Sequence, residues 1–215
     1  HGWDALTPLE ESLRAFDDLV RSGKVRYVGV SNFTAWQAMK GLGLSQANGW
    51  APFVAAQYQY SLVVRDIEND VVGVAEAEGM GLVPWGALGG GFLSGKYRRG
   101  ERPTSAAEGR IATAPDAWEE SWARRATVQN WEIVDAVEKT SKTHPGSTTA
   151  QVALAWVLAK RGVASVIVGA RSAAQLENNL GAASLELSEE DVALLDRTSA
   201  VPIPYPARAV NLAAR

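Results

Sequence analysis

Two rhythms of apolar residues alternate along the chain, and their alternation points to a fold class. Leu9, Leu13, Phe16, Leu19 and Val20 fall on one helical stripe. Thr7 as N-cap, Pro8 as first helical residue and Glu10 as reciprocal capping partner open that helix, predicted over Pro8–Ser22, and Gly23 closes it. Val25–Val30 reads as a short strand ending at Ser31-Asn32-Phe33, with a second helix over about 34–41. The unit repeats: a strand over 53–58, a loop over 60–65 and a helix over 68–78, then a strand over 81–85 running into Gly86-Ala87-Leu88-Gly89-Gly90-Gly91. Residues 98–117, rich in Gly, Pro, Ser, Glu and Arg, are expected to form a long mobile loop of the kind that serves as a functional lid. Helices over about 126–140 and 148–160 follow, and then a strand over 163–168 with a helix opening near Ser172. A last helix, capped by Leu187-Ser188-Glu189-Glu190-Asp191, runs to about Arg197 before a Pro-rich tail.

Strands alternating with helices imply parallel βα units. Asn32, Gln57, Trp85 and Arg171 each follow the C-terminal end of a predicted strand, which is the active face of a (β/α)8 barrel. Such a barrel takes about 250 residues and eight strands, whereas four strands are predicted in these 215 residues. His1-Gly2-Trp3 looks like the exit loop of a preceding strand. The expected fold is therefore α/β, the C-terminal part (about four βα units) of a (β/α)8 TIM barrel, with residues 1–215 forming a single incomplete domain that lacks its N-terminal strands.

Composition narrows the function classes. Hydrophobic residues make up 47% and charged residues 21% of the chain, enough apolar material for a sizeable core. A net charge of −3 with scattered Lys and Arg argues against nucleic acid or an anionic membrane as partner. The absence of cysteine excludes disulfides, a thiolate metal site and a thiol nucleophile; no metal is expected. No apolar run reaches the roughly 18 residues of a membrane span, and no signal-peptide pattern opens the chain, so a cytoplasmic location is the default expectation.

The stretch 163–180 carries the most local chemistry. A strand running directly into a helix leaves free N–H groups at the junction, which suit a phosphate. Arg171 stands there with a guanidinium that grips phosphate in a two-pronged way, and Gln175, Asn178 and Asn179 follow at helical spacing, able to hydrogen-bond a sugar or a purine. An ordinary strand-to-helix turn with a solvated Arg fits the same residues equally well.

Taken together, 23–33 (GKVRYVGVSNF), Gln57 with 58–65, 84–91 (PWGALGGG), 93–97 (LSGKY) and Gly169-Ala170-Arg171 through Asn179 resemble the aldo-keto reductases, more closely the bacterial branch allied to potassium-channel β-subunits. The resemblance implies an NADP(H)-dependent oxidoreductase interconverting aldehydes or ketones and alcohols, with a small carbonyl or alcohol as substrate. By position, Ser31, Asn32 and Gln57 would hold the nicotinamide carboxamide and Trp85 would stack on the ring. Gly86, Ala87, Leu88, Gly89 and Gly90 would let backbone approach the pyrophosphate, with Lys96 and Arg110 neutralising its charge. Arg171, beside Gly169, would contact the 2′-phosphate, and Gln175, Asn178 and Asn179 the adenosine end. Many relatives carry Lys-Ser where this chain has Gly169-Ala170, which shifts 2′-phosphate selection onto Arg171, and the turn at 86–91 is richer in glycine than is usual.

Catalysis in that family uses a Tyr proton donor tuned by a Lys and an Asp, with a His that orients the carbonyl. The resemblance assigns the His role to His1; the alternative is a tag remnant or an arbitrary start. The other three groups are expected upstream, because Tyr27, Tyr58, Tyr60 and Tyr97 belong to other motifs. Two further readings are an NADP(H)-sensing regulatory or binding subunit and an inactive truncated fragment.

Overall fold

A computed structural model describes residues 1–106 and 109–209. Helix α1 (Leu9–Arg21) buries Leu9 and Leu13. Strand β1 (Val28–Ser31), helix α2 (Ala35–Asn48), strand β2 (Phe53–Gln57), helix α3 (Val71–Ala77) and strand β3 (Gly81–Leu82) follow. The strands form one parallel sheet in the order β1-β2-β3. Val28, Val30, Phe53, Ala56 and Leu82 are buried under α1, α2 and α3, while Gly29, Ala55, Gln57, Gly81 and Val83 remain open or half-buried. One face of the sheet is thus sealed by helices and the other is not.

Beyond β3 come the short helices α4 (Arg110–Thr113) and α5 (Trp122–Arg125), then α6 (Val128–Thr143), α7 (Thr149–Leu158), α8 (Ala173–Leu180) and α9 (Glu189–Thr198). They enclose a second core, in which Trp156, Phe92, Ile111, Val152 and Leu195 are fully buried. The Trp156 indole donates to Asp196 Oδ1 at 2.9 Å, with the Arg65 guanidinium 5.2 Å and the Lys160 ammonium 4.3 Å from its ring. Cations held over an aromatic face gain from its quadrupole. Within 98–117, α4 buries Ile111 in this core, and residues 107 and 108 of that stretch lie outside the described residues.

Four expected elements differ. Thr7 does not cap α1: the N-cap is Pro8 without a side-chain bond, and the Thr7 hydroxyl donates to Asp4 Oδ2 at 2.6 Å, a charged acceptor that outcompetes the helix amides. Helix α2 runs past Gly41 to Asn48 because Gly41 is a packing residue, where a Cβ would lie 2.8 Å from the Phe53 ring. The single helix expected over 68–78 is split into a 3-10 turn, Asp66–Asn69, and α3, because the Asp70 carboxylate restarts the helix by accepting from Val71 N. Glu68 is meanwhile held by Arg65 and Tyr60.

The fourth strand, expected over 163–168, is reduced to an extended segment bridged to β3 only at Leu82–Val163. Leu82 N donates to Gly162 O and Ala164 N to Leu82 O, but the next ladder donor would be the amide of Pro84, which has none. Pairing resumes one residue out of step with Ile167 N to Pro84 O at 2.8 Å. The described sheet therefore has three strands rather than four.

Two predicted helix starts are as expected. Ser172 accepts from Gln175 N, and Ser188 accepts from Asp191 N. Asp191 closes the second cap by accepting from Ser188 N and also meets His144 Nε2, beyond the end of α6, at 2.8 Å. Burial alone would raise the Asp191 carboxyl, but the hydrogen bonds from His144 and Ser188 outweigh it and hold it below its ordinary value of 3.8. A carboxyl lowered in the fold stabilises the fold above its unfolded value, and that contribution is lost as pH falls through the folded value. Urea midpoints followed from about pH 5 to about pH 2.5 should therefore fall less in Asp191→Asn than in the unmutated protein; parallel decline would remove Asp191 from the acid sensitivity.

Candidate functional site

The ends of the strands gather the first group of predicted residues. Ser31 and Gln57 close β1 and β2 directly opposite each other in the parallel register. Asn32, with φ 57°, is the one non-glycine residue in the left-handed region among the described residues. Asn tolerates that conformation because its short amide bonds locally. Its Nδ2 donates to Ser31 Oγ at 3.0 Å and to the His1 carbonyl at 3.2 Å, and its Oδ1 accepts from Trp85 Nε1 at 3.3 Å. Trp85 is bridged to Gln59 beyond the end of β2. Ser31, Asn32, Gln57 and Trp85 thus converge, and His1 joins them through its backbone. A cleft of about 140 Å³ lined by His1, Trp3, Ser31 and Phe33 adjoins them.

From Trp85 the chain enters the glycine turn. Gly86, Gly89, Gly90 and Gly91 all have φ between 57° and 96°. A Cβ on Gly86 would lie 3.0 Å from Glu120 Oε1, on Gly89 2.8 Å from Val63 Cγ2, and on Gly90 2.6 Å from Ile111 Cγ2. Conformation and space both demand glycine here. Ala87 and Gly89 are buried and Leu88, Gly86, Gly90 and Gly91 half-buried, so the turn is anchored in the fold.

The far end of the turn brings two cations together. Lys96 Nζ lies 3.2 Å from where a Gly91 Cβ would be and 4.7 Å over the Tyr97 ring. Burial first, and the nearby Arg171 charge second, lower the Lys96 pKa. Arg171 Nη1 donates to the Ala106 carbonyl at 3.4 Å, and its backbone N–H donates to Gln175 Oε1 at 2.8 Å. Asn179, buried, donates to Gly169 O at 3.5 Å. Asn178 engages through its carbonyl, which accepts from Gln151 Nε2. Arg110 is mostly exposed and pairs with Glu120 at 3.1 Å.

Three groups beneath the turn escape the sequence pattern: the half-buried Gln59, whose Nε2 is buried, and the buried Glu120 and Arg125. Glu120 and Arg125 sit between the loop expected over 98–117 and the helix expected from about 126, and no spacing rule marks them out. Burial pushes the Tyr58 phenol up to about 12, and burial together with its bond to Glu68 raises Tyr60 further. A larger groove of about 720 Å³, lined by Arg65, Glu68, Asp70, Ile203 and Tyr205, lies apart from all the predicted residues. Its charges are already engaged, Arg65 donating to Glu68 and Ser199.

Among the described residues no helix is long and apolar enough to cross a membrane. The model of the aldo/keto reductase family matches residues 1–200. Norsolorinic acid reductase of Aspergillus flavus is 34% identical over 206 residues, covering 96% of this chain and 48% of that protein. Protein tas of Escherichia coli (strain K12) is 34% identical over 210 residues, covering 96% of this chain and 58% of its own length. An aryl-alcohol dehydrogenase of Phanerodontia chrysosporium, whose name specifies NADP(+), is 30% identical over 198 residues, covering 92% of this chain and 50% of that protein. The chain spans about half the length of the curated relatives it matches.

The left-handed backbone at Asn32 yields a stability test. Asn32→Gly loses the side-chain bonds but keeps the conformation, whereas Asn32→Ala loses both. Asn32→Ala should be less stable than Asn32→Gly by about 1 kcal/mol in urea unfolding; equal stability would mean that this φ is not required.

Proposed function

The chain belongs to the aldo/keto reductase family, and from that premise we propose that it carries the cofactor-binding portion of an NADP(H)-dependent reductase of small aldehydes or ketones. The observation that carries this reading is one continuous path: the Asn32–Trp85 contact at one end, a turn of left-handed glycines in the middle, and the neighbouring cations Lys96 and Arg171 at the other. Two like charges held close favour an anion between or beside them. A main chain stripped of side chains is what close approach of a diphosphate requires. These residues fit NADP(H), and one of the similar proteins is named for NADP(+).

In this reading Ser31, Asn32 and Gln57 hold the carboxamide, offering both donors and acceptors. Trp85, fixed in orientation by its bond to Asn32, covers one face of the ring and excludes water there. The turn Gly86–Gly90 receives the diphosphate, and Lys96 and Arg110 offset its charge. Arg171 takes the 2′-phosphate, its own backbone tied to Gln175, while Gly169, Asn178 and Asn179 shape the adenosine end. NADP(H), when bound, supplies the hydride. His1, whose carbonyl is bonded by Asn32, orients the substrate carbonyl from the same strand end. The parallel sheet with one uncovered face is read as part of a (β/α)8 barrel, whose remaining strands supply the proton donor.

Fluorescence titration with NADPH and NADH, together with turnover of simple aldehydes, tests this reading. Arg171→Ala should weaken NADPH by roughly 10- to 100-fold, the loss of a guanidinium–phosphate contact, and leave NADH nearly unchanged. Equal loss for both cofactors would refute the assignment of Arg171, and failure of the unmutated protein to bind either would refute the site.

A further inference from the structure

Beneath the glycine turn lies a charge pair to which none of the assigned roles extends. Arg125 is 4% exposed and Glu120 7% exposed. Neither Nε nor Nη2 of Arg125 has a hydrogen-bond partner among the described residues, and the same is true of Glu120 Oε1 and of Gln59 Nε2. Both charges abut the turn. A Cβ on Gly89 would lie 3.8 Å from Arg125 Nε, and a Cβ on Gly86 would lie 3.0 Å from Glu120 Oε1.

Buried charges with unsatisfied hydrogen-bonding atoms are expensive, and ordinary packing would eliminate them. Here those atoms lie against Gly86 and Gly89 of the turn, which carry no side chains. A buried charge is also screened far less by salt and water than an exposed one, so its field reaches the opposite side of a thin layer of backbone. Arg125 favours an anion lying on the turn and Glu120 opposes it. Glu120 is partly offset by Arg110, which bonds its other oxygen at 3.1 Å. The remaining charges around Arg125 are Glu119, Arg124 and Asp66. Glu119 and Arg124 are mostly exposed and pair with each other at 3.7 Å, which leaves Glu120 as its buried counterpart on the turn.

Resting on the reading of this turn as the diphosphate cradle, we propose that Arg125 and Glu120 set its affinity from below. Arg125 is a positioning residue whose charge makes the glycine main chain receptive to a dinucleotide diphosphate, and Glu120 is the counterweight that keeps that binding reversible. A pair serving only to pack the turn would behave differently, because deleting either member would loosen it and weaken binding. An electrostatic pair gives effects of opposite sign.

The test is titration of NADPH and NADH into the unmutated full-length protein and into Arg125→Gln, Arg125→Lys and Glu120→Gln, with urea midpoints for each. Arg125→Gln should weaken both cofactors by a similar factor, on the order of tenfold, because both carry the diphosphate; Arg171→Ala in contrast discriminates between them. Arg125→Lys should recover most of the loss, and Glu120→Gln should tighten both cofactors. Unchanged binding in Arg125→Gln, or weakening in Glu120→Gln, overturns the proposal. Should Arg125→Gln fail to fold, Glu120→Gln decides alone: tightening supports the proposal, and no change or weakening overturns it. An unmutated protein that binds neither cofactor overturns the cofactor reading and this inference with it, an outcome distinct from normal binding that the variants leave unaltered.

Discussion

No side chain fits at Gly86, Gly89 or Gly90 of the turn at 86–91, and much of the molecule is arranged around that fact. Trp85 leads into the turn from the sheet, and Lys96 leaves it toward Arg171. The space that Cβ atoms would need is filled by Val63, Ile111 and Glu120, so the loop after β2 and the segment carrying α4 are both packed onto the turn. Four left-handed positions among six residues, Gly86 and Gly89 to Gly91, are costly in conformational entropy. That cost is offset by burial of Phe92 and Leu93, which immediately follow the turn in the second core.

A network of partly buried charges gathers at the edge of the second core. Arg65, Glu68, Asp196 and Lys160 surround Trp156, and each is bonded to a partner or laid over the indole. That network joins the loop after β2 to α7 and α9. Arg125 and Glu120 are close in sequence to that core but are not compensated in the same way. The contrast is between charges satisfied within the fold and charges that, in the proposed reading, act on a ligand.

What could be read from the sequence follows from how local the determinant is. Helix caps at Ser172 and Ser188 depend on residues three apart and were legible, as were the three parallel strands and the placing of Asn32, Gln57 and Trp85 at strand ends. Gly41 misleads because a glycine that ends a helix and one that admits an aromatic ring look the same in a sequence; only Phe53, twelve residues on, distinguishes them. The strand over 163–168 misleads for a related reason, since its apolar run is sound but its partner carries Pro84 where a donor is needed. Glu120 and Arg125 had no local signal at all. Their burial is decided by the glycine turn folding over them, a contact between segments thirty residues apart.

The two ends of the proposed site differ in kind, and the difference explains how one chain holds both. At the strand ends the groups satisfy one another: Asn32 bonds Ser31, His1 and Trp85, giving a preorganised polar surface that is stable with nothing on it. At the far end the Arg171 charge, second to burial, lowers the pKa of the neighbouring Lys96, while Arg171 itself donates to the Ala106 carbonyl. In the proposed reading the phosphates meet these cations, and the preorganised groups at the strand ends set the orientation of the ring. A dinucleotide held in this way would be gripped by its phosphates and aimed by its ring, with the glycine turn lying between the two.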